Sequence, residues 1–334
     1  MFEKLMDSYK TLIIIPFIIA LLSLSFVTIH GFDYGIDLKG GSQADLVLQD
    51  SVTSGDIENL LKTNLHATEV KILNSNNKEI TIETDTSSNA TAFTDALKGK
   101  AKVSTFNTIG PILSEEAMGQ IYLALAFAFI FMAATVFIVF REPIPSIGVI
   151  LAALFDIIIA IGGMSLFKIP LSIASVGALL MLIGYSVDTD ILLTTRLLKR
   201  KEGTVIERAK AAMKTGLTMS VAAIVAMLIL YLSTVIFMPK ATTLSNISAV
   251  LIIGLCGDII TTWLMNLGIL RWYIEKRQTR KLEKFSISEE TKEVKETSKD
   301  NTKKSKKRSK KKTSNKRPKG KKRKNKNKNK KGGN

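Results

Sequence analysis

The chain has one cysteine, Cys256, and two histidines, His30 and His66, among its 334 residues. A single thiol excludes an intramolecular disulfide and a thiolate metal site. Neither histidine has His, Cys or acid neighbours at ligand spacing, so no metal is expected and both read as loop residues. Phosphate-binding glycine loops ending in Lys-Ser/Thr are missing, as are a nucleophile elbow and a His-based metal motif. The glycine-rich stretch DLKGG at 37–41 opens a strand, precedes no helix, and is read as a turn. The expectation is a protein that is not an enzyme and carries no cofactor. Any energy it uses must come from an ion gradient or a partner ATPase.

Acidic residues nearly vanish from the end of the chain. From Lys299 to Asn334 there are 20 Lys/Arg and one acid, Asp300, whereas the first 298 residues hold 27 basic and 28 acidic residues. The net charge of +18 therefore belongs to the tail. The body, with its long apolar runs, excludes a soluble basic nucleic-acid-binding enzyme. The tail is too polar to fold alone and has no aromatic residue to stack on bases. Its expected contacts are anionic lipid headgroups or, as the alternative, ribosomal RNA.

Six apolar runs are long enough to cross about 30 Å of hydrocarbon as helices. They lie near Leu12–Ile29, Met118–Phe140, Ile144–Phe167, Leu171–Leu198, Gly216–Phe237 and Ser245–Trp272. Their continuity, without alternation, excludes a closed barrel. His-Gly-Phe-Asp follows the first run where a cleaved leader would carry Ala-x-Ala, so this run is read as an uncleaved span. Lysine and arginine crowd the loop between spans four and five (Lys199, Arg200, Lys201, Arg208, Lys210, Lys214). They also follow span two (Arg141) and span six (Arg271, Lys276, Arg277, Arg280, Lys281). The opposite turns offer only Lys168 and Lys240. This asymmetry predicts a multi-pass protein of the cell membrane with both termini cytoplasmic and residues 31–117 extracytoplasmic.

Residues 31–117 carry thirteen acids and seven bases. Ile36–Gln49 alternates around a Gly-Gly turn and reads as a strand or hairpin. Ser54–Leu65 has a helical period behind Asp56. Val70–Leu73 and Glu79–Thr84 pair across an Asn-rich turn. Ala90–Leu97 is a second helix and Lys102–Thr108 a last strand. The order β-α-β-β-α-β predicts a small α+β, ferredoxin-like domain. The whole is thus an α-helical polytopic membrane protein with six transmembrane helices and one such domain. We divide it into residues 1–30 (cytoplasmic N-terminus and first span), 31–117 (α+β domain), 118–275 (five-helix bundle) and 276–334 (disordered lysine-rich tail).

Four acids lie inside spans: Asp156 in span three, Asp188 and Asp190 in span four, and Asp258 in span six. An acid at the bilayer centre costs about 2.5–3.5 kcal/mol on insertion scales, so each should face protein or water and mark an ion path. Asp188 sits in the polar stretch GYSVDTD and is the favoured carrier. Asp190 points about 200° from it and reads as an edge residue; Asp258 fits a path residue and an interhelical strut equally. Gly162, Gly163, Gly177 and Gly216 are read as close helix contacts.

Three segments carry a resemblance. FDYGIDLKGGSQADL after span one is similar to the G-[IL]-D-[FL]-x-G-G signature of the SecD and SecF protein-translocase subunits. FREPIPSIGVILAALFDIIIAIGGMSLF and GYSVDTDILLTTRLLKR resemble the third- and fourth-span segments of the SecF branch. The resemblance covers about 1–284 and points to the archaeal type within the resistance-nodulation-division superfamily. It implies that Asp188 takes the place of the proton-carrying acid and Asp156 that of the third-span acid, with Phe155 where the family has His. Arg196 matches the Arg of the Asp-Arg ending, and Lys214 stands at the cation position of the fifth span. Asp190 and Asp258 have no counterpart. The resemblance further implies a SecD-type partner, the Sec protein-conducting channel, a translocating polypeptide as substrate, and use of a proton or sodium gradient in late translocation. Half of a small-molecule or lipid exporter of the same superfamily is the alternative.

Overall fold

The computed structural model describes residues 9–49, 52–75, 79–97, 99–199, 203–280, 282–284 and 287. The lysine-rich tail from Lys299, together with Arg200, Lys201 and Lys281 of the charge pattern and 76–78 of the Asn-rich turn, lies outside the described residues. Met1–Ile274 forms one compact unit and Glu275–Asn334 a second, whose residues 275–280 are helical.

Among the described residues, six helices are long and apolar enough to cross a membrane. Five have the bounds α1 Tyr9–His30, α5 Pro111–Phe140, α6 Pro143–Leu166, α7 Ile173–Lys199 and α8 Val205–Phe237. The sixth begins as α9 Thr242–Ile260, widens into a π-helical turn at Thr261–Asn266 and is α-helical again at 267–274. Proline opens α5 and α6, where its missing N–H removes no helical hydrogen bond. Helix α5 starts seven residues before the expected span, and α8 eleven, because both carry polar turns beyond their apolar stretch. The most apolar stretches of α6, α7 and the sixth span are largely buried, whereas those of α5 and α8 are mostly exposed. The first three make the centre of the bundle, and the others present Phe127, Phe131, Ile229 and Phe237 outward, as lipid-facing helices do.

Between α1 and α5 lies the α+β domain: α2 Ile36–Lys39, β1 Gly41–Leu48, α3 Ser54–Asn64, β2 Val70–Ser75, β3 Glu79–Thr84, α4 Ala90–Ala96 and β4 Ala101–Ile109. The strands form one antiparallel sheet in the order β2-β3-β1-β4, the ferredoxin-like arrangement. Alternation puts Ala44, Leu46, Ile80 and Ile82 on one face, packed against Ile57, Leu61 and Phe93 of the two helices. Ile36–Lys39 is a helical turn and not the start of the strand. The reason is the glycine pair: Gly40 (φ 75°) and Gly41 (φ 136°) take conformations that side chains resist, and a Cβ on Gly41 would collide with the Thr84 carbonyl. The chain therefore reverses at DLKGG before entering β1.

Among the described residues, hydrogen bonds and an ion pair tie the domain to the bundle at two places. Residues 31–35 lie along the α6–α7 turn through Leu171 N–H to Asp33 O (2.7 Å), Gly35 N–H to Leu171 O (2.8 Å) and Ser165 Oγ to Gly31 O (2.8 Å). In the α8–α9 turn, Lys240 Nζ reaches Glu79 Oε1 of β3 at 3.0 Å.

Candidate functional site

Asp156 on α6, Asp190 on α7 and Asp258 on α9 come together inside the bundle, exposed 0%, 0% and 1%. Hydroxyls join them. Ser186 of α7 and Thr261 of the π-helical turn each donate to Asp156. Thr189 Oγ1 lies 3.3 Å from Asp258 Oδ2, and Thr262 Oγ1 lies 3.1 Å from Asp258 Oδ1. Asp190 Oδ1 takes Thr262 Oγ1 at 2.9 Å and Asn266 Nδ2 at 2.7 Å.

The local sequence explains this convergence. Ser186, Asp190 and Thr194 are four residues apart, so they share one face of α7. Asp258, Thr261 and Thr262 share a face of the sixth span in the same way. The π-helical turn holds Thr261, Thr262 and Asn266 toward the carboxyls. Such a turn inside an α-helix is rare and concentrates at functional sites.

The chemistry follows from counting hydroxyl protons. Thr262 has one, yet its oxygen touches carboxyl oxygens of both Asp190 and Asp258. It donates to one of them; the other contact is a hydrogen bond only when that carboxyl is protonated and donates in return. Thr189 is alike, since its oxygen also lies 3.0 Å and 3.1 Å from the carbonyls of Tyr185 and Ser186. Among the described residues no Lys or Arg pairs with the three acids. Three bare carboxylates in a dry interior without a counter-cation would be prohibitively costly. Bound protons or a cation would remove that cost.

The expected site residues divide between two places. Asp188 lies on the exposed face of α7, beside Tyr185 and Gly184, and joins none of the cluster. Asp190, read as an edge residue, is fully buried within it. The 200° between them allows only one to face inward, and α7 turns Asp190 toward α9. Arg196 donates to the Ala211 carbonyl at 2.5 Å, and Lys214 is exposed on α8, so neither cation touches the cluster. Phe155 packs against Phe17 of α1, with ring centroids 5.9 Å apart. Ser186, Thr189, Thr261, Thr262 and Asn266 were not singled out from sequence. The signal was present as the spacing Asp258-x-x-Thr-Thr-x-x-x-Asn266. Gly162 and Gly216 do pack closely, on Ser23 and Trp263, but Gly177 faces open space. His30, read as a loop residue, is instead the last residue of α1 and stacks on Phe26 (4.1 Å), while His66 sits in a loop with φ 52°. Among the described residues, no group of three or more His, Cys, Asp and Glu is placed to hold a metal ion.

Six spanning helices around a polar carboxyl core, with a four-stranded domain inserted after the first, define a polytopic membrane protein. A family model described as the C-terminal part of protein export membrane protein SecD/SecF matches residues 89–276. The chain belongs to the SecD/SecF family of protein-export membrane proteins. It is 56% identical to the protein-export membrane protein SecF of Methanothermobacter thermautotrophicus, over 82% of this chain and 96% of that one. To the SecF of Methanocaldococcus jannaschii it is 40% identical, over 83% of this chain and 100% of that one. The crystal structure of SecDF, a translocon-associated membrane protein from Thermus thermophilus, shares the fold with a TM-score of 0.62 at 19% identity. The match covers 80% of this chain but spans only 38% of that longer one.

Proposed function

We propose that this chain is a non-enzymatic subunit of the Sec protein-export machinery that uses a proton or sodium gradient to promote late steps of translocation, together with a SecD-type partner. The observation that carries this reading is the hydroxyl-linked trio Asp156, Asp190 and Asp258, each from a different span and without a paired cation. Changing which of these carboxyls is charged changes which hydroxyl donates to which, and so changes what holds α6, α7 and α9 in register. The α+β domain sits at the end of the same helices and would handle the emerging polypeptide after it leaves the Sec channel. Both termini would be cytoplasmic and the domain outside, as the Lys/Arg asymmetry suggests.

A partner is called for by α7. Asp188, Tyr185, Gly184 and Gly177 form an outward stripe, and a Cβ on either glycine would meet nothing within 4 Å. A carboxyl facing lipid is costly, and small residues on a spanning helix suit close approach of another helix. A SecD-type subunit would cover this face.

The test is Asp190→Asn in membrane vesicles carrying both subunits. Gradient-dependent completion of translocation should be lost, while the partner still copurifies. Export from this variant at the wild-type rate would overturn the reading.

A further inference from the structure

At the end of the bundle nearest the α+β domain, a cavity of about 480 Å³ opens between the end of α6, α8 and the start of α9. Three polar side chains line it: Lys168 just past α6, Tyr231 on α8 and Asn246 early in α9. Among the described residues, none of these side chains has a hydrogen-bond or ion-pair partner. Lys168 stands in the left-handed region (φ 53°), where glycine is the usual residue at a helix end, so a cation is placed there at a backbone cost. No acid lines the cavity, and its other hydroxyl, on Ser245, already donates to the Thr242 carbonyl at 2.9 Å. Ammonium, amide and phenol donors around one positive charge are the chemistry of a phosphate site.

This cavity continues into a second of about 550 Å³ through Phe167, Ile252 and Ile253, which line both. The second runs between α1, α6 and α9, along Leu22, Phe26, Ile159 and Ile260, and no charged residue lines it. From Asn246 to Ile260 the helix advances about 21 Å at about 1.5 Å per residue. One hydrocarbon leaflet is roughly 15 Å deep, so the trough is long enough for a whole lipid chain. A cationic mouth above an apolar trough matches a single anionic amphiphile. A spanning helix of another subunit would fill the trough but bring no anion to the three donors. Helix α7, whose outward face suits the SecD-type partner, lends no residue to either cavity. Lysine and tyrosine near a helix end also fit the headgroup level of a bilayer.

We infer that the joined cavities bind an anionic phospholipid, its phosphate on Lys168, Tyr231 and Asn246 and a hydrocarbon chain along α1, α6 and α9. The site is separate from the carboxyl cluster and does not depend on how that cluster works. Lys168 belongs to the α6–α7 turn whose Leu171 holds residues 33–35, so the headgroup lies next to the attachment of the α+β domain.

The experiment uses the purified full chain with equal amounts of phosphatidylglycerol and phosphatidylcholine, and reads retained lipid by native mass spectrometry. Wild type should retain phosphatidylglycerol saturably and in preference to phosphatidylcholine. Lys168→Gln should lower that retention about fivefold, the worth of one lysine beside an anionic headgroup. Lys168→Gln combined with Asn246→Leu should remove it. Lys168 is exposed, so the single variant should unfold at the wild-type temperature in lipid-free detergent. A fluorophore on Cys256, the sole thiol and an exposed residue of the apolar trough, locates the chain. Phosphatidylglycerol with brominated chains should quench it in the wild-type background and not beside the double substitution. Retention that survives the double substitution, as when the lysine-rich tail alone holds the lipid, overturns the proposal. So does equal retention of phosphatidylcholine, or a dimer that forms only as lipid is lost, the outcome if a second copy fills the trough.

Discussion

One residue, Thr189, separates Asp188 from Asp190 on α7, and about 200° of helix separates their side chains. The inward one has its Oδ1 held by Thr262 and Asn266. The outward one lies on the exposed face of α7. Thr262→Val keeps the side-chain shape and removes the hydroxyl that joins Asp190 to Asp258, leaving Asp258 Oδ1 without its contact. We expect a loss of about 1–3 kcal/mol of stability, the cost of an unsatisfied buried acceptor, read by thermal unfolding in detergent. Asp188→Asn should change the isolated chain by less than about 0.5 kcal/mol; a larger loss would show that Asp188 has a role inside the bundle. Outside the membrane the residue to watch is Glu83 of β3, only 5% exposed, with Oε1 lacking a partner. Removal from water raises its carboxyl above the ordinary 4.5, although Lys39 and Lys71 pull it the other way. The folded state therefore holds this proton more tightly than the unfolded state does. The stability Glu83 contributes is full below about 4.5 and is lost as pH rises through the raised value. Glu83→Gln should flatten that part of the pH–stability curve and leave the variant more stable than wild type at pH 7, measured by urea unfolding. An unchanged slope would exclude Glu83 as its source.

At the scale of elements, glycine decides how closely helices and strands approach. A Cβ on Gly254 of α9 would run into Leu182 of α7, so Gly254→Ala should push apart the two helices that carry Asp258 and Asp190. A cost of about 1–3 kcal/mol is expected for such overpacking, with loss of gradient-dependent export. Gly177→Ala, on the open face of α7, should leave the isolated chain as stable or more so and instead weaken copurification of the SecD-type subunit. Thermal unfolding and copurification separate the two effects. Elements of this kind are readable in sequence where one periodicity dominates. The six spans and the β-α-β-β-α-β order emerged from apolar length and from alternation. Three features did not. Ile36–Lys39 alternates like a strand and becomes a helical turn, because Gly40 and Gly41 reverse the chain there. Either face of α7 could have been the inner one, since Gly, Ser and Thr occur on both. The helical widening at Thr261–Asn266 leaves no mark in composition, as Thr-Thr-Trp-Leu-Met-Asn serves an ordinary α-helix equally well.

Among the described residues, polar contacts join the α+β domain to the bundle along 31–35 at Leu171 and at the exposed Lys240–Glu79 pair, while Ile36–Lys39 packs against α5 and Gly35 lies close to Ser172. A surface ion pair is worth at most about 1 kcal/mol, so the backbone contacts at Leu171 carry more of the attachment. If domain movement accompanies export, joining it there should stop the cycle. Tyr34 and Leu171 face each other in a β-bridge. With Cys256 changed to Ser, the pair Tyr34→Cys and Leu171→Cys should abolish gradient-dependent translocation when oxidised and recover it on reduction. Full activity of the oxidised form would show that this junction does not move. The sixth span connects both ends of the machine, starting just past Lys240 and continuing through Asp258 to Asn266. Its widened turn means that this helix holds more residues per rise than its length requires. Passing the bulge along by one residue would swivel only the segment it crosses, by about 100°, with the rest of the rod unbroken. Thr261, Thr262 and Asn266 would then let go of Asp156, Asp190 and Asp258 one after another, as a travelling dislocation does in a crystal, in place of a concerted break.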